Sequence, residues 1–322
     1  MKQMNIAILG YGVIGKGVFE ICKNMPNINV VKIFDRKEKF DNNYLDLFTD
    51  NAESIFKDKK IDLIVEVLGG YEFARDMMLQ AIKYRKHVVT ANKEVVAKDI
   101  DLFVNVSRAN EVCFAYEASV GGGIPIIKNI KQLKAVNTIT KISGILNGTT
   151  NFILTKMFEG LDFNEALKEA QRLGFAEADP TADLEGYDMM RKIAILSDLA
   201  WNTFININEI KQTGITKITK EDVDAAKANN KVIKFVCESV KVDDHIEISV
   251  EPKVLDNTHF FNNVNNEFNA VILETYPNDT LTFIGKGAGS LPTASAIVLD
   301  IVDIMENRCL VCYDNERKYK IN

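Results

Sequence analysis

The sequence predicts an α/β protein in which a doubly wound parallel sheet is joined to a second, α+β domain. Three observations lead to this prediction. Short apolar strand patterns alternate with helical patterns over the first third of the chain, which is typical of right-handed βαβ crossovers. A glycine-rich turn joins the first strand to the first helix. Beyond residue 118 the alternation gives way to helices and then to strands with Asn/Asp-rich turns, which indicates antiparallel pairing.

Apolar and amphipathic runs define the elements of both parts. In the first part the predicted strands are 4–9, 29–34, 61–69, 86–90 and 111–118, and the predicted helices are 13–25, 73–84 and 93–110. In the second part a strand is predicted over 135–146, helices within 149–202 and strands within 234–250. A last helix follows the glycines of "GKGAGSLPTASAIVLDIVDIM". We therefore expect a first domain of residues 1–118 completed by 288–322, and a second domain of residues 119–287.

Composition excludes several classes of protein. The 322 residues carry a formal net charge of −6, which is the wrong sign for a nucleic-acid-binding protein. No apolar run reaches the ~18 residues that span a bilayer. Five scattered cysteines are not a secreted disulfide framework, so we expect a soluble protein of the reducing cytoplasm. Cys309 and Cys312 have metal-ligand spacing, but the three histidines lie far from them, which favours small apolar side chains over a zinc site.

The turn after the first strand has the glycine spacing of a dinucleotide-binding loop. In "GYGVIG", Gly10, Gly12 and Gly15 follow the G-x-G-x-x-G pattern, and Val13 and Ile14 open the helix. In this pattern the first glycine makes a tight turn, the second lets the backbone approach a pyrophosphate, and the third permits close packing of helix and strand. The strand before it and the helix after it complete the pattern, which predicts a Rossmann-type fold.

The end of the second strand bears on the choice of cofactor. Asp35 lies twenty residues after Gly15, where an acid binds the ribose hydroxyls of NAD. Arg36 and Lys37 follow directly and could instead hold the 2′-phosphate of NADP. The sequence therefore leaves both cofactors open.

Ligands of open α/β sheets bind beyond the carboxyl ends of the strands. At these ends the sequence places Gly69 and Gly70 after "LIVEVL", and the segment from Thr90 to Lys93 after "KHVV". Lys93 is either a functional residue at the sheet edge or a surface lysine that starts a helix, and its position alone does not decide between the two.

Glu117 is a carboxylate in the apolar stretch "CFAYEASVGGGIPII". A buried charge must be paired, bind a metal or take up a proton. The neighbouring glycines could expose backbone carbonyls, so one alternative is a monovalent cation held by one carboxylate and several carbonyl oxygens. The other alternative is an ion pair with a lysine of the second domain.

The segment "GFAEADPTADLEGYDMMRKIAILS" concentrates acidic residues just before a basic pair. We expect Asp179 to cap a helix that begins at Pro180 and continues through "ADLEGYDMMRKIAIL". Asp188 and Lys192 are four residues apart and so share one helix face. This face is either a solvated surface or a pocket with Lys192 as proton donor, where Glu177 and Asp188 bind an ammonium group.

Six motifs in this order resemble those of homoserine dehydrogenases, and they extend over nearly the whole chain. The motifs are "GYGVIG", "VVTANKE", "YEASVGGGIPII", "GILNGTTNFIL", "GFAEADPTADLEGYDMMRKIAIL" and "GKGAGSLPTASAIV". The resemblance implies NAD(P)-dependent interconversion of L-homoserine and L-aspartate 4-semialdehyde. It also implies a Rossmann domain with a second substrate-binding and dimerisation domain, and a homodimer.

The resemblance also implies roles for individual residues. Lys192 matches the catalytic lysine and Lys93 a second lysine near the reacting carbon, while substrate would be bound by Glu177, Asp183 and Asp188. Positions that line the cofactor in the family are matched by Gly69, Gly174 and Gly287, together with Thr90, Lys93 and the residues of the glycine turn. A sodium site is matched by Glu117, Val120, Gly122 and Ile124. These matches imply that the acidic segment is a pocket.

The motifs occupy the chain from end to end, so we expect neither a fused kinase domain nor a C-terminal ACT-type regulatory domain. Two alternatives are open to test. An aldehyde-oxidising dehydrogenase would need a cysteine nucleophile, and Cys113 lies within a predicted strand. A nucleotide sensor without turnover would have no use for Lys93, Glu177 and Lys192 together.

Overall fold

The computed structural model describes residues 3–308 and 320–321, and the chain divides into two compact units. Of these residues, 3–127 and 289–308 belong to the first unit, and 128–288 and 320–321 belong to the second. The sequence placed the corresponding boundaries after residues 118 and 287. Cys309 and Cys312 lie outside the described residues. Within the described ranges, no helix is both long and apolar enough to cross a membrane.

The first unit is built on a six-stranded parallel sheet. Its elements are β1 (Met4–Leu9), α1 (Val13–Cys22), β2 (Ile28–Phe34), β3 (Phe48–Thr49), α2 (Ala52–Lys57), β4 (Leu63–Glu66), α3 (Glu72–Lys83), β5 (His87–Thr90), α4 (Lys93–Ala109), β6 (Phe114–Ala115) and, from the end of the chain, α11 (Ser290–Met305). The strand order is β3-β2-β1-β4-β5-β6, and the described pairs are parallel. The order reverses between β1 and β4, so the prediction of a doubly wound sheet is confirmed.

Burial explains why the central strands are continuous apolar runs. Ile6, Ile8, Leu63 and Val65 are fully buried, as expected for a parallel sheet covered on both faces. Helices α1 and α11 pack closely because Gly17 has no side chain. A Cβ atom at this glycine would lie 2.7 Å from the Ser290 hydroxyl and 3.1 Å from the Ala294 methyl group.

The second unit combines a mixed sheet with helices. Its elements are α5 (Ile126–Leu133, which starts in the first unit), β7 (Thr138–Ile145), α6 (Gly148–Glu159), α7 (Phe163–Arg172), α8 (Thr181–Leu184), α9 (Tyr187–Trp201), β8 (Lys211–Gln212), α10 (Lys220–Ala228), β9 (Lys231–Val242), β10 (His245–Asp256), β11 (Phe268–Tyr276), β12 (Asp279–Lys286) and β13 (Lys320–Ile321). The order is β12-β11-β7-β9-β10-β13, and β8 also pairs with β10. The first five strands are antiparallel, while β8 and β13 run parallel to β10.

The acidic segment does not form the single helix that the sequence predicted. Gly186 has φ of +87° and separates α8 from α9, and a Cβ there would lie 3.0 Å from the Phe235 ring. The predicted cap at Asp179 was also wrong, since α8 begins at Thr181 with Pro180 as its N-cap. Asp179 Oδ1 instead accepts hydrogen bonds from the Thr181 backbone N–H at 3.1 Å and hydroxyl at 2.6 Å, a local turn that precedes the helix.

Candidate active site

The glycines of the first turn adopt three different environments. Gly10 has φ of +104°, and a Cβ there would lie 2.6 Å from the Val67 carbonyl oxygen. A Cβ at Gly15 would lie 2.0 Å from the Gly10 carbonyl oxygen, so helix and strand pack too closely for a side chain. Nothing lies within 4 Å of a Cβ at Gly12, and the neighbouring Val13 side chain is 71% exposed. The start of α1 therefore presents open backbone, as an anion site at a helix N-terminus requires.

Asp35 is buried, and backbone amides already bind its carboxylate. Oδ2 accepts from the Tyr11 N–H at 2.7 Å, and Oδ1 accepts from the Arg36 N–H at 2.8 Å. Lys39 Nζ lies 3.6 Å from Oδ2. The side chains of Arg36, Lys37 and Lys39 are exposed around this strand end. The acid thus braces the turn, and the accessible charge beside it is positive.

Two loops lie at the carboxyl edge of β4 and β5. Gly69 and Gly70 have φ of +79° and +73°, and a Cβ at either would meet no atom within 4 Å. Lys93 is the first residue of α4, directly after Asn92, whose Oδ1 caps the helix by accepting from the Val95 N–H at 3.2 Å. Lys93 is half-buried. Lys93 thus both starts a helix and lies at the carboxyl edge of the sheet, so its position agrees with either alternative.

Glu117 is buried at the start of a short 3₁₀ turn, Glu117–Ser119. Its Oε1 accepts from the Ile127 N–H at 2.8 Å, and its own N–H donates to Asp300 Oδ2 at 2.8 Å. Gly121 and Gly122, with φ of +76° and +56°, reverse the chain next to it. Among residues 3–308 and 320–321 no group of three or more His, Cys, Asp or Glu could hold a metal ion. A single buried carboxylate carries too little charge for a strong divalent site and would suit a monovalent cation better.

The second unit contains a buried ion pair on α9. Lys192 Nζ donates to Asp188 Oδ2 at 2.8 Å and to the Leu146 carbonyl at 2.7 Å. Asp188 is 2% exposed and Lys192 is 8% exposed. The solvated-surface alternative for this helix face is therefore wrong. An ammonium group is held in an apolar environment by an acid one turn before it and by a strand-end carbonyl.

Asn147 links the two halves of the acidic segment, and the sequence analysis did not single it out. Its Nδ2 donates to Asp183 Oδ1 at 2.7 Å and to Asp188 Oδ2 at 2.9 Å. Its Oδ1 accepts from the Thr150 N–H at 2.8 Å and so caps α6. The asparagine before "GTT" at the start of a helix was the available signal, because it fits an N-cap.

The remaining predicted residues lie at the ends of elements in the second unit. Gly174 has φ of +78° just after α7, and the Glu177 side chain is exposed three residues further on. Gly287 follows β12, and a Cβ there would lie 1.9 Å from Nδ2 of Asn269, which is 1% exposed. Asp183, Asp188 and Lys192 are thus linked through Asn147. Glu177 lies outside this network, and its backbone carbonyl accepts a hydrogen bond from the Gln171 side chain at 3.2 Å.

Comparison with known proteins decides the family. The profile of homoserine dehydrogenase matches residues 125–302, and the profile of the homoserine dehydrogenase NAD-binding domain matches residues 10–117. The chain belongs to the homoserine dehydrogenase family. The homoserine dehydrogenase of Bacillus subtilis is 38% identical in an alignment of length 321 that covers 95% of this chain and 74% of that protein.

Solved structures of the family have the same fold. A homoserine dehydrogenase from Thiobacillus denitrificans superimposes with a TM-score of 0.91 at 37% identity, covering 96% of this chain and 74% of that chain. A hyperthermophilic archaeal homoserine dehydrogenase in complex with NADPH gives a TM-score of 0.82 at 26% identity, covering 95% of this chain and 98% of that chain. The predicted family, fold and class of enzyme, an NAD(P)-dependent oxidoreductase, are confirmed.

Proposed function

We propose that this chain interconverts L-homoserine and L-aspartate 4-semialdehyde with NAD(P), as a cytoplasmic homodimer that serves threonine, methionine and isoleucine synthesis. The observation that carries the proposal is the buried cluster of Lys192, Asp188, Asn147 and Asp183. It combines a proton donor with carboxylates that suit the ammonium group of an amino acid. Family membership and the open glycine turn of the first unit support it.

The acidic residues would bind the substrate. Asp188 and Asp183 are held in place by the Asn147 amide, and Glu177, exposed in the free chain, would add a further carboxylate to the substrate ammonium. Carboxylates that are already oriented bind a cation at a lower entropic cost than mobile ones. This arrangement favours a small amino acid over an uncharged alcohol.

The lysines would handle the proton and the developing charge. A bound NAD(P) supplies the hydride in reduction and accepts it in oxidation. In reduction, Lys192 Nζ donates a proton to the carbonyl oxygen of the semialdehyde; in oxidation, it takes the proton of the homoserine hydroxyl. Lys93 stabilises the negative charge on that oxygen as the bond forms or breaks. The Leu146 carbonyl and Asp188 orient the Lys192 ammonium for this transfer.

We propose that NADP is the preferred cofactor. The cofactor would be held by Gly10, Gly12, Val13, Ile14, Gly15, Asp35, Arg36, Gly69, Thr90, Lys93, Gly174 and Gly287. The Asp35 carboxylate already accepts from the Tyr11 and Arg36 amides, which leaves only part of its acceptor capacity for ribose hydroxyls. The exposed cations beside it suit a 2′-phosphate.

We also propose a sodium ion at Glu117, with the carbonyl oxygens of Val120, Gly122 and Ile124 as further ligands. Burial of the carboxylate and the reversal of the chain at Gly121 and Gly122 support this site. The ion would neutralise the Glu117 carboxylate and stabilise the turn that follows it, and it takes part in no step of the reaction.

One assay tests these proposals together. Initial rates are followed by reduced-nicotinamide absorbance with L-homoserine, using NADP or NAD, in sodium or choline chloride, for wild type and for Lys192→Met. We expect turnover, faster with NADP, and a loss of roughly 10²–10⁴-fold in the variant. The matched control is Lys57→Met, which removes an exposed i,i+4 ion pair with Glu53 of 2.7 Å and should leave the rate unchanged.

Each arm of the assay has its own contrary result. A folded wild type without turnover would refute the substrate. Equal loss in both variants would refute the role of Lys192. A faster rate with NAD would refute the cofactor preference, and equal rates and thermal stability in both salts would refute the sodium ion.

A further inference from the structure

Glu66 is a fully buried carboxylate at the ligand-binding edge of the parallel sheet. It is the last residue of β4, in the strand "LIVE", and its exposed fraction is 0%. Burial raises the pKa of this carboxyl, although hydrogen bonds from Thr90 and the Leu68 N–H oppose the effect. Burying such a group in an apolar strand is costly unless hydrogen bonds to it compensate for the lost water. Nothing in the proposed mechanism has yet used it.

The carboxylate binds both loops at this edge. Its Oε1 accepts from the Leu68 N–H at 2.8 Å, at the start of the Gly69–Gly70 turn. Its Oε2 accepts from the Thr90 hydroxyl at 2.5 Å, at the end of β5. The nearby Gly69 N–H and Asn92 side chain lower the pKa of this carboxyl further and so favour its charged form. A single side chain therefore joins two segments that are 24 residues apart in sequence.

The network continues to the start of α4. The Thr90 hydroxyl oxygen accepts from the Asn92 N–H at 2.9 Å. Asn92 in turn donates to the Gly70 carbonyl at 2.7 Å and caps the helix whose first residue is Lys93. Glu66 is thus two hydrogen-bonded residues away from Lys93 and in direct contact with the turn that contains Gly69.

We infer that Glu66 is a positioning residue, whose carboxylate sets the Gly69–Gly70 turn against the Thr90–Asn92 turn and so fixes Lys93 and the cofactor-binding edge. This inference rests on the proposed function for the role of Lys93. A neutral amide replaces the carboxylate imperfectly, because its NH₂ group would have to donate to the Thr90 hydroxyl oxygen, which already accepts from the Asn92 N–H, and the charge-assisted bond from the Thr90 hydroxyl would be lost. In Glu66→Gln the turns would separate, although the side chain keeps its size.

The test is a double-mutant cycle on the full chain with Glu66→Gln, Lys93→Ala and the double variant. We measure kcat and KM with L-homoserine, and the Kd of NADPH by its fluorescence. Because a displacement of about 1 Å can cost ~10²-fold in rate, we expect Glu66→Gln to lower kcat by about that factor. In the Lys93→Ala background the same substitution should change kcat by less than ~2-fold, since interacting residues are non-additive.

The matched control is Glu72→Gln, the same substitution at an exposed residue in the first turn of α3. It should leave kcat and the Kd of NADPH unchanged. If Glu66→Gln does not fold, Thr90→Val breaks the same hydrogen bond from its donor side. Losses in kcat that multiply in the double variant, or a fall in thermal stability with kcat and Kd unchanged, would overturn the inference. If the wild type does not turn over homoserine, the proposed function fails separately, and the inference is judged by NADPH affinity, where an unchanged Kd overturns it.

Discussion

Breaking the Lys192–Asp188 pair from one side should destabilise the protein more than removing both charges. The perturbation is Lys192→Met, which keeps much of the side-chain volume and removes the ammonium group. The variant leaves the Asp188 carboxylate buried without the Lys192 charge beside it. The companion variant Lys192→Met/Asp188→Leu removes both charges, and Asn147 keeps an acceptor in Asp183 at 2.7 Å.

The magnitude follows from the geometry. The Nζ and Oδ2 atoms are 2.8 Å apart, and the two side chains are 10% and 3% exposed. At an effective dielectric constant of ~20, two unit charges at this separation attract by about 6 kcal/mol. The cost of desolvating the two charges offsets part of this attraction. When only Lys192 is replaced, the desolvation cost of the Asp188 carboxylate remains. We therefore expect Lys192→Met to lower the free energy of unfolding by about 3–5 kcal/mol, and the double variant to recover most of the loss.

Urea unfolding followed by tryptophan fluorescence measures the effect. The only tryptophan of the chain, Trp201, is buried at the end of the helix that carries both charges. Activity should fall by at least roughly 10²-fold in both variants, whereas stability should fall mainly in the single one, so the two effects separate. A loss below about 1 kcal/mol in Lys192→Met, or a double variant no more stable than the single one, would refute the picture of a desolvated pair.

Three further predictions concern other buried polar groups. Gly287→Ala should cost about 1–3 kcal/mol by overpacking against Asn269, and Asn269→Ala in the same background should restore stability in a urea titration. Burial lowers the pKa of Lys234 from 10.5 to about 8, so between these pH values only the unfolded state holds the proton. The free energy of unfolding of wild type should therefore rise by up to roughly 3 kcal/mol from pH 8 to 10.5 relative to that of Lys234→Met. A difference between the two proteins that does not change with pH would contradict this. Burial raises the pKa of Asp198 well above its usual range, so wild-type stability is lost as pH rises above about 4, where the unfolded state gives up the proton. Urea unfolding at pH 5 and 8 should therefore show that the stability of wild type relative to Asp198→Asn is lower at pH 8.

Most helices and strands of the first unit could be predicted because each is marked by a pattern within its own few residues. The G-x-G-x-x-G spacing and the alternating apolar runs placed β1, α1, β4 and β5 within a few residues. The short β3 and α2 were missed in a polar stretch, since two strand residues carry no periodicity. The break at Gly186 was missed as well, because a glycine is tolerated in a helical pattern and the Phe235 ring that crowds it comes from a distant strand.

The site was predicted only as far as sequence spacing reaches. The i,i+4 spacing placed Asp188 and Lys192 on one face, but whether that face is buried depends on the strands beneath it. Asn147 lies 41 residues from Asp188, so no local pattern connects them. Glu66 looked like part of an apolar strand, and its partner Thr90 belongs to the next strand of the sheet. Contacts of this kind are set by topology, which becomes readable only after the sheet order is known.

The packing of α11 on α1 has a consequence for synthesis. The Ser290 hydroxyl donates to the Val13 carbonyl at 2.7 Å, across 277 residues of sequence, and Gly17 accommodates the same helix. During translation, the sheet of the first unit therefore emerges without the helix that covers part of its core. The nascent chain must keep Ile6, Ile8 and Val65 from other apolar surfaces while residues 128–288 of the second unit are made. We expect this half-covered sheet to be a target for chaperones, and the last helix to be the piece that ends that dependence.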